Sequence, residues 1–440
     1  MKTKSILAGG LMLFAALVAL VWFATSATDD TPEPITANST LALDAAVTNA
    51  ARAQAHYERA IREEPDNVDN YVGLAQVYLQ QSQATGDETR YVPLAKDVLA
   101  QALERSPKHY PARALQAQLY NVLHQFEKGR DLANELIAEQ PNHAYTYGIL
   151  VDALVELGEY DAAVGASDKM NAIRPGLPAY ARAAYLRELH GDGDGAKVAM
   201  RLAADAGVTG RDDRAWAIYQ LGQLYLGDDN IDAAEIIFDA LLDERPGYAH
   251  ALSGLAQVEM ARGNVDGAEA LLNNAYEATP NPGFLEQLAE VHAVRGDADR
   301  EADVLAAVEA SLKAADAMGE NVRMEYADFL ADQERDLDQA VAWAEAEYAR
   351  RPNHMHTQET MAWTLHKAGR TAEALPIIEK LLVQSPEDGK LYYRAAQIYD
   401  AAGQADQAAV YFQRALDGNV HIESPSAARD INRRLSVAAL

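Results

Sequence analysis

The chain has 440 residues, with 66 Asp and Glu against 38 Lys and Arg, a formal net charge of −28 at pH 7, and no cysteine. Without cysteine there can be no disulfide, thiolate metal site or cysteine nucleophile. The acidic charge argues against nucleic acid as a partner, because phosphate backbones would be repelled, and favours a basic or neutral partner. Net acidity can equally serve only to keep a long chain soluble.

Residues 1–28 predict one membrane-inserting segment. Lys2 and Lys4 precede an almost continuously apolar stretch of 19 residues, from position 6 to position 24. As a helix this stretch would rise about 28 Å, close to the thickness of the hydrocarbon core of a bilayer. The two lysines indicate an N-terminus in the cytoplasm, so the rest of the chain would lie on the periplasmic or extracytoplasmic side of the inner membrane. Cleavage near Ala27 is the alternative, and it would give a soluble periplasmic or secreted protein.

The next two stretches predict a tether and a leading helix. Residues 29–40 are polar and contain Pro32 and Pro34, which disfavour helix, so they predict a flexible linker. Residues 41–67 predict an N-terminal capping helix or a partial repeat.

Prolines then recur with a period close to 34 residues. They stand at Pro65, Pro107, Pro141, Pro175, Pro246, Pro280, Pro352 and Pro386. Their successive gaps are 42, 34, 34, 71, 34, 72 and 34. The gaps of 71 and 72 correspond to two periods with one proline missing, and the gap of 42 is one period plus eight residues. Such a period indicates a repeat architecture rather than a set of separate globular domains.

Within each period the same residue types recur at fixed positions. One unit reads Leu221-Gly222-x2-Tyr225 followed by Ala234, Phe238 and Pro246, and another reads Tyr71-x2-Leu74-Ala75-x2-Tyr78 followed by Ala95, Leu99, Ala102 and Pro107. This pattern resembles the tetratricopeptide repeat. The resemblance implies an all-α, right-handed α-solenoid of about ten helix–turn–helix units spanning residues 68–422. The units are predicted at 68–109, 110–143, 144–177, 178–211, 215–248, 249–281, 282–320, 321–354, 355–388 and 389–422.

A stacked array needs its end units covered, because one unit cannot bury its apolar face alone. Residues 423–440 predict a C-terminal capping helix, since Ser424 can cap its N-terminus with Pro425 at the first helical position. Ile431 and Leu435, four residues apart, would then dock on the last unit.

Two short patterns invite a metal interpretation. The run from Gly191 to Gly195 alternates Gly and Asp, but it lacks the further ligands of a calcium loop and fits a turn between helices. His354 and His356 could supply two imidazoles, with no third ligand nearby in the sequence. No phosphate-binding loop or nucleophile elbow is present. The sequence therefore predicts no enzyme, no cofactor and no metal, with a metal-handling role of the two histidines as the alternative.

In the family that the repeats resemble, first helices line a concave groove. This mapping predicts the following peptide-binding residues: Gln76, Gln118, Tyr145, Asp152, Tyr185, Tyr219, Gln223, Gln257, Glu290, Trp363, Tyr393 and Gln397. The glutamines could form a ladder that donates to and accepts from a peptide backbone, or they could be no more than exposed helix formers. Aromatic residues are typical of binding hot spots, and the carboxylates favour a ligand that carries Lys or Arg.

Together these features predict a membrane-tethered scaffold or adaptor outside the cytoplasm that binds proteins or peptides and aids assembly of an envelope complex. The membrane would be contacted through the N-terminal helix only. Two alternatives remain: a homo-oligomerising structural module, and an apoprotein chaperone of the cytochrome c maturation type. The second rests on the opening unit, which with its inserted stretch Gln80–Leu94 loosely resembles the repeat domains that hold apocytochromes.

Overall fold

The computed structural model describes the backbone of residues 39–384 and 387–438 and the side chains of residues 51–384 and 387–436. Within that part of the chain all regular structure is helical, which confirms the predicted fold class at that level. The predicted membrane-inserting segment 1–28 and nearly all of the linker 29–40 lie outside the described residues. Among the helices that are described, none is both long enough and apolar enough to cross a bilayer.

The described residues form 23 helices. In chain order they are α1 (Ser39–Glu63), α2 (Val68–Thr85), α3 (Glu88–Arg105), α4 (Tyr110–Val122), α5 (Phe126–Glu139), α6 (Ala144–Glu156), α7 (Tyr160–Ile173), α8 (Leu177–Leu189), α9 (Gly193–Ala206), α10 (Asp212–Gly227), α11 (Ile231–Glu244), α12 (Ala249–Ala261), α13 (Val265–Ala278), α14 (Pro282–Arg295), α15 (Ala298–Met318), α16 (Arg323–Asp332), α17 (Leu337–Arg350), α18 (Met355–Lys367), α19 (Thr371–Gln384), α20 (Gly389–Ala401), α21 (Ala405–Asp417), α22 (Val420–Glu423) and α23 (Pro425–Ala438).

Helices α2 to α21 pair as successive hairpins, in which each even-numbered first helix packs on the odd-numbered helix that follows it. First helices of neighbouring units also contact each other, for example α2 with α4, α10 with α12 and α18 with α20. Such contacts place the first helices on the inner side of the curved array. We call the face that the even-numbered helices α2 to α20 present there the inner surface.

Small residues set the spacing between units. A Cβ atom at Gly222 would overlap the ring of Phe238, and one at Gly254, in the next unit, would lie 2.5 Å from the same ring. Phe238 is fully buried between them. A larger residue at either glycine would force the helices apart, and overpacking of this kind costs about 1–3 kcal/mol. The turns follow the sequence as well: Gly263 has φ 81°, and Asn264 then caps α13 by accepting from the backbone N–H of Gly267.

The insertion in the opening unit lengthens its helices. Helices α2 and α3 have 18 residues each, whereas α4 and α5 have 13 and 14, so the eight extra residues add about one turn to each. Helix α15 is longer still, with 21 residues, and it packs against α3. Gly86, between α2 and α3, comes so near that a Cβ there would lie 2.9 Å from the carbonyl oxygen of Pro280.

The array therefore curls far enough for its early and late units to touch. The backbone N–H of Asn321 donates to the carbonyl oxygen of Leu123 at 3.1 Å. Arg350 reaches Glu127, 223 residues away in the sequence, through two hydrogen bonds of 3.0 and 2.6 Å. The repeat pattern predicted a curved ribbon with an open groove, and it gave no sign of this contact.

Candidate polypeptide-binding surface

All of the predicted peptide-binding residues lie on first helices, from Gln76 on α2 to Gln397 on α20. Their surroundings differ, however. Some of these side chains pack between units, some form hydrogen bonds with a neighbour on the inner surface, and some contact the C-terminal part of the chain.

Asp152 belongs to the packing between units. It is 4% exposed and forms a two-point ion pair with Arg182 of the next first helix, with distances of 2.8 and 2.6 Å. Arg182 also donates to the carbonyl oxygens of Gly148 at 3.2 Å and Pro178 at 3.1 Å. Burial raises the pKa of the Asp152 carboxyl, and the guanidinium opposes that rise. The prediction of a ligand-contacting carboxylate at this position is therefore corrected: Asp152 links α6 to α8.

Gln118 and three tyrosines among the predicted residues also take part in packing within the repeats. Gln118 is buried and accepts a hydrogen bond from the hydroxyl of Tyr145, which is half-buried. Tyr185 is buried in the main apolar core. Tyr219 is half-buried, and its ring contacts that of Phe238 with centroids 6.0 Å apart. Gln118 and Tyr185 therefore offer little surface to a ligand, contrary to the predicted groove contacts.

The glutamines of the central units bond to each other. Gln223 donates its side-chain N–H to the side-chain oxygen of Gln257, one unit away, at 2.8 Å. Both are half-buried, as are Gln76 and Gln397. A primary amide has two donors and an acceptor with two lone pairs, so this bond leaves hydrogen-bonding capacity free on each partner. The ladder remains a prediction, and Gln223 and Gln257 are the pair of its members that contact each other.

Arg394 on α20 organises the late units. It is buried, donates to Asp328 at 2.8 and 2.9 Å, and reaches Asp332 at 3.2 Å and Glu359 at 3.1 Å. Its guanidinium lies 4.9 Å from the ring centroid of Trp363, whose indole N–H donates to Asp332 at 2.6 Å. Trp363 is buried beneath this network rather than open to a ligand, which corrects the prediction of an exposed aromatic contact.

This part of the inner surface has more carboxylates than cations. Its carboxylates are Glu286, Asp328, Asp332 and Glu359, and its cations are Lys390 and Arg394. Burial acts to raise the pKa of Glu359, but Arg394, His356 and Lys390 together outweigh it and lower the pKa to about 2, so Glu359 stays ionised. Enclosure by protein raises the pKa of Glu286 and Asp328 adds to the rise, although Glu286 keeps solvent contact.

The C-terminal segment, residues 418–436, lies across the inner surface. Helix α22 packs against α12 and α20, while α23 packs against α14, α20 and α21. Ile431 is fully buried against the last unit, with Leu435 packed beside it. The helix expected at 423–440 thus lies on the last unit, and the same segment also reaches units much earlier in the chain.

An apolar anchor and a polar anchor hold the C-terminal segment to the earlier units. Ile422 is 5% exposed and packs in one cluster with Leu226, Phe238 and Val258. The carboxylate of Glu290 accepts from the hydroxyl of Ser424 at 3.1 Å, and from the hydroxyl and backbone N–H of Ser426 at 3.0 and 3.1 Å. At the other end of the segment, Tyr393 donates to Asp430 at 3.1 Å. Two predicted ligand contacts, Glu290 and Tyr393, are thus occupied by the chain itself.

The residues of the two metal interpretations have structural surroundings. His354 is buried, its ring nitrogen is 2.9 Å from the hydroxyl of Thr357, and burial holds its pKa well below the usual value. Asp192 caps α9 by accepting from the N–H of Gly195 at 3.0 Å, and Gly191 has φ 75°. Across the described residues, no three metal-binding side chains are grouped as a site.

The matches to known protein families lie in the repeats. Two family models, both described as tetratricopeptide repeat, match residues 225–298 and 365–421, and residues 44–91. No curated protein matches the chain. Among solved structures, a thermophilic TPR protein of Thermus thermophilus is similar at 19% identity over 41% of this chain and 92% of that chain, with a TM-score of 0.36.

Two further solved structures are similar at low identity. PilW, a widely conserved type IV pilus biogenesis factor, shares 12% identity over 46% of this chain and 93% of that chain, with a TM-score of 0.39. The APC/C hetero-tetramer Cut9–Hcn1 shares 14% identity over 89% of this chain and 95% of that chain, with a TM-score of 0.38. Together with the 34-residue period and the packed helical hairpins, the matches show tetratricopeptide repeats at residues 44–91, 225–298 and 365–421.

Proposed function

We propose that this protein is a scaffold that binds polypeptide segments on its inner surface. The observation that carries the proposal is that this surface already holds a polypeptide, the C-terminal segment, between α12 and α14 on one side and α20 on the other. A surface that accommodates one helix start and its flanking residues has the shape and hydrogen-bonding groups to accommodate another.

The contacts of the C-terminal segment support a proposed mode of recognition. Leu226, Phe238 and Val258 provide an apolar pocket for a single aliphatic side chain. Glu290 provides a carboxylate that accepts from hydroxyl and backbone donors at the first turn of a helix, where N–H groups lack partners within the helix. Such a combination of one apolar pocket and a few placed polar groups is typical of binding sites.

The acidic character of the late units bears on the kind of partner. Glu286 and Asp332 are exposed, and the carboxylates around them outnumber Lys390 and Arg394. A partner segment that carries Lys or Arg would relieve the mutual repulsion of these carboxylates, and added salt would weaken its binding. In the proposal, partners are therefore basic or neutral proteins.

The N-terminal residues supply the proposed location. With residues 1–28 as a membrane anchor and 29–40 as a tether, the repeats would stand on the outer side of the inner membrane. From there they would gather other proteins into an envelope complex.

A capture experiment tests the function. The full chain would be used to capture proteins from an envelope extract at low and high salt, with crosslinking to map where each captured protein contacts the chain. The test variant carries Glu286→Gln and Asp332→Asn on the inner surface. The matched control carries Asp205→Asn and Asp243→Asn, two exposed carboxylates on second helices α9 and α11.

We expect the test variant to lose salt-sensitive partners that the wild type and the control retain. Crosslinks should map to first helices. Equal capture by all three chains, or crosslinks confined to the outer, odd-numbered helices, would contradict the proposal.

A further inference from the structure

The C-terminal segment occupies the residues that a partner would use. Ile422 fills the apolar pocket, while Ser424 and Ser426 take up both oxygens of Glu290. A partner segment with the same chemistry cannot reach the pocket or Glu290 while these contacts persist.

The chain connection favours this occupancy. Only Gly418 and Asn419 separate α21 from α22, so the C-terminal segment is always held close to the inner surface. Attachment through a short linker gives a local concentration of the order of millimolar. Asn419 fixes the start of the segment by accepting from the backbone N–H of Gly389 at 3.0 Å, and a Cβ on Gly389 would collide with the backbone of Val420.

The contacts with the earlier units are few and mostly polar, in contrast to those with the last unit. Apart from Ile422, they comprise the hydrogen bonds to Glu290, the pair of His421 with Asp229 at 3.1 Å, and a hydrogen bond from Arg429 to the carbonyl oxygen of Val294. Ile431 and Leu435 cover the last unit, and Val420, Ala427 and Ala428 are buried in the same apolar cluster. Residues 421–426, which lie between these anchors, can therefore leave the earlier units while the rest of the segment stays docked.

We propose that residues 421–426 are an intramolecular ligand that occludes the inner surface, and that a partner displaces them with a segment of the same chemistry. That segment would carry an aliphatic side chain two residues before a Ser or Thr that starts a helix. This inference rests on the proposed function, because it names the partner chemistry and the regulation of the same surface. If the ligand is bound about nine-tenths of the time, the apparent affinity for a partner falls about tenfold.

The test uses a fluorescein-labelled synthetic peptide of residues 418–436, with binding followed by fluorescence anisotropy. It is titrated with the full wild-type chain, with Ile422→Asp and with Val410→Asp. Val410 is 52% exposed on α21, so the control adds the same charge away from the pocket. We expect Ile422→Asp to bind the peptide at least about tenfold more tightly than the wild type and the control do.

Two further variants keep the result interpretable. Adding Glu290→Gln to Ile422→Asp should weaken peptide binding again, which locates the peptide at the same site. If Ile422→Asp loses helical circular dichroism, Ser424→Ala with Ser426→Ala replaces it, because these changes remove both hydroxyl donors to Glu290 without a buried charge and leave only the backbone N–H of residue 426.

Equal affinity of the wild type and the released variants would overturn the inference, as would failure of a folded released variant to bind the peptide. A concentration-dependent doubling of mass in light scattering would also overturn it, because the segment would then be exchanged between copies. The capture experiment tests the proposed function independently, because its variants change Glu286 and Asp332 and it does not use the peptide.

Discussion

Replacing Arg182 by Ala would test whether the buried ion pair with Asp152 supports the junction of the third and fourth units. Arg182 is 1% exposed, and its loss would leave the Asp152 carboxylate buried without its two hydrogen bonds of 2.8 and 2.6 Å. Breaking a buried pair from one side typically costs about 3–5 kcal/mol. The Asp152 carboxyl, left without its partner, can take up a proton, and protonation limits how much stability the substitution can remove.

A double-mutant cycle separates the pair from its surroundings. We expect Asp152→Ala with Arg182→Ala to destabilise the protein by less than the sum of the single changes, with a coupling of about 2–3 kcal/mol. Arg187→Ala is the matched control, because Arg187 forms a 2.6 Å pair with Asp192 in which both side chains are about half exposed. Exposed pairs contribute roughly 0–1 kcal/mol.

Stability would be measured by urea unfolding, together with hydrogen exchange of the helices α6 to α9. The exchange data are needed because a repeat array need not unfold in one step. A cost of Arg182→Ala no larger than that of Arg187→Ala, or strict additivity in the cycle, would refute the assignment of Asp152 to structure rather than to ligand binding.

Two other predictions address pH and the contact between early and late units. Burial raises the pKa of Glu188 to about 8, above its value in the unfolded chain, so its contribution to stability is present at low pH and is lost as the pH rises towards 8. In thermal unfolding at pH 5 and pH 8, Glu188→Gln should therefore gain about 1–3 kcal/mol of stability relative to wild type at the higher pH. An equal change in stability of the two proteins between these pH values would contradict this. Gly158→Ala should lower the unfolding temperature clearly more than Gly191→Ala. Both glycines have positive φ, but only at Gly158 would a Cβ collide with the backbone of His354. Equal decreases in the unfolding temperature would argue against that contact.

The features that the sequence predicts well are local to one unit or to neighbouring units. The turn at Gly263, the close approach at Gly222 and the filling of that space by Phe238 all follow from positions within the 34-residue period. Each depends on contacts within a hairpin or across one junction, and the period repeats those contacts along the chain.

Site residues were harder to predict, because the position in the unit gives the face of the helix but not the partner. Asp152 stands at a position that faces the inner surface, yet it forms a buried ion pair with Arg182 of the next unit. A signal was present in the sequence: Arg182 is a lone cation in an alanine-rich stretch of α8, where a buried charge requires a partner. Arg394 on α20 gives a comparable signal, and it is shared among carboxylates of two earlier units.

The contact between distant units lies beyond such reasoning, since it depends on curvature that accumulates over many units. A small change in rotation at each junction would separate Leu123 from Asn321 altogether. The opening insertion contributes as well, because it lengthens α3, the helix that packs against α15. The length of the insertion was visible in the sequence, but the helix it would meet was not.

The C-terminal segment has two roles in this structure. The last unit needs a cover for its apolar face, and Ile431 in α23 supplies one. Helix α22 and the turn after it add contacts with Leu226 and Glu290, while Val420 at the start of α22 is buried in the core of the last unit. Ile422 belongs to the apolar cluster of the earlier units and not to that of the last unit, so its release leaves the core of the last unit closed. A partner would then compete with the contacts around Leu226 and Glu290, and its own aliphatic side chain would replace the apolar burial that Ile422 provides.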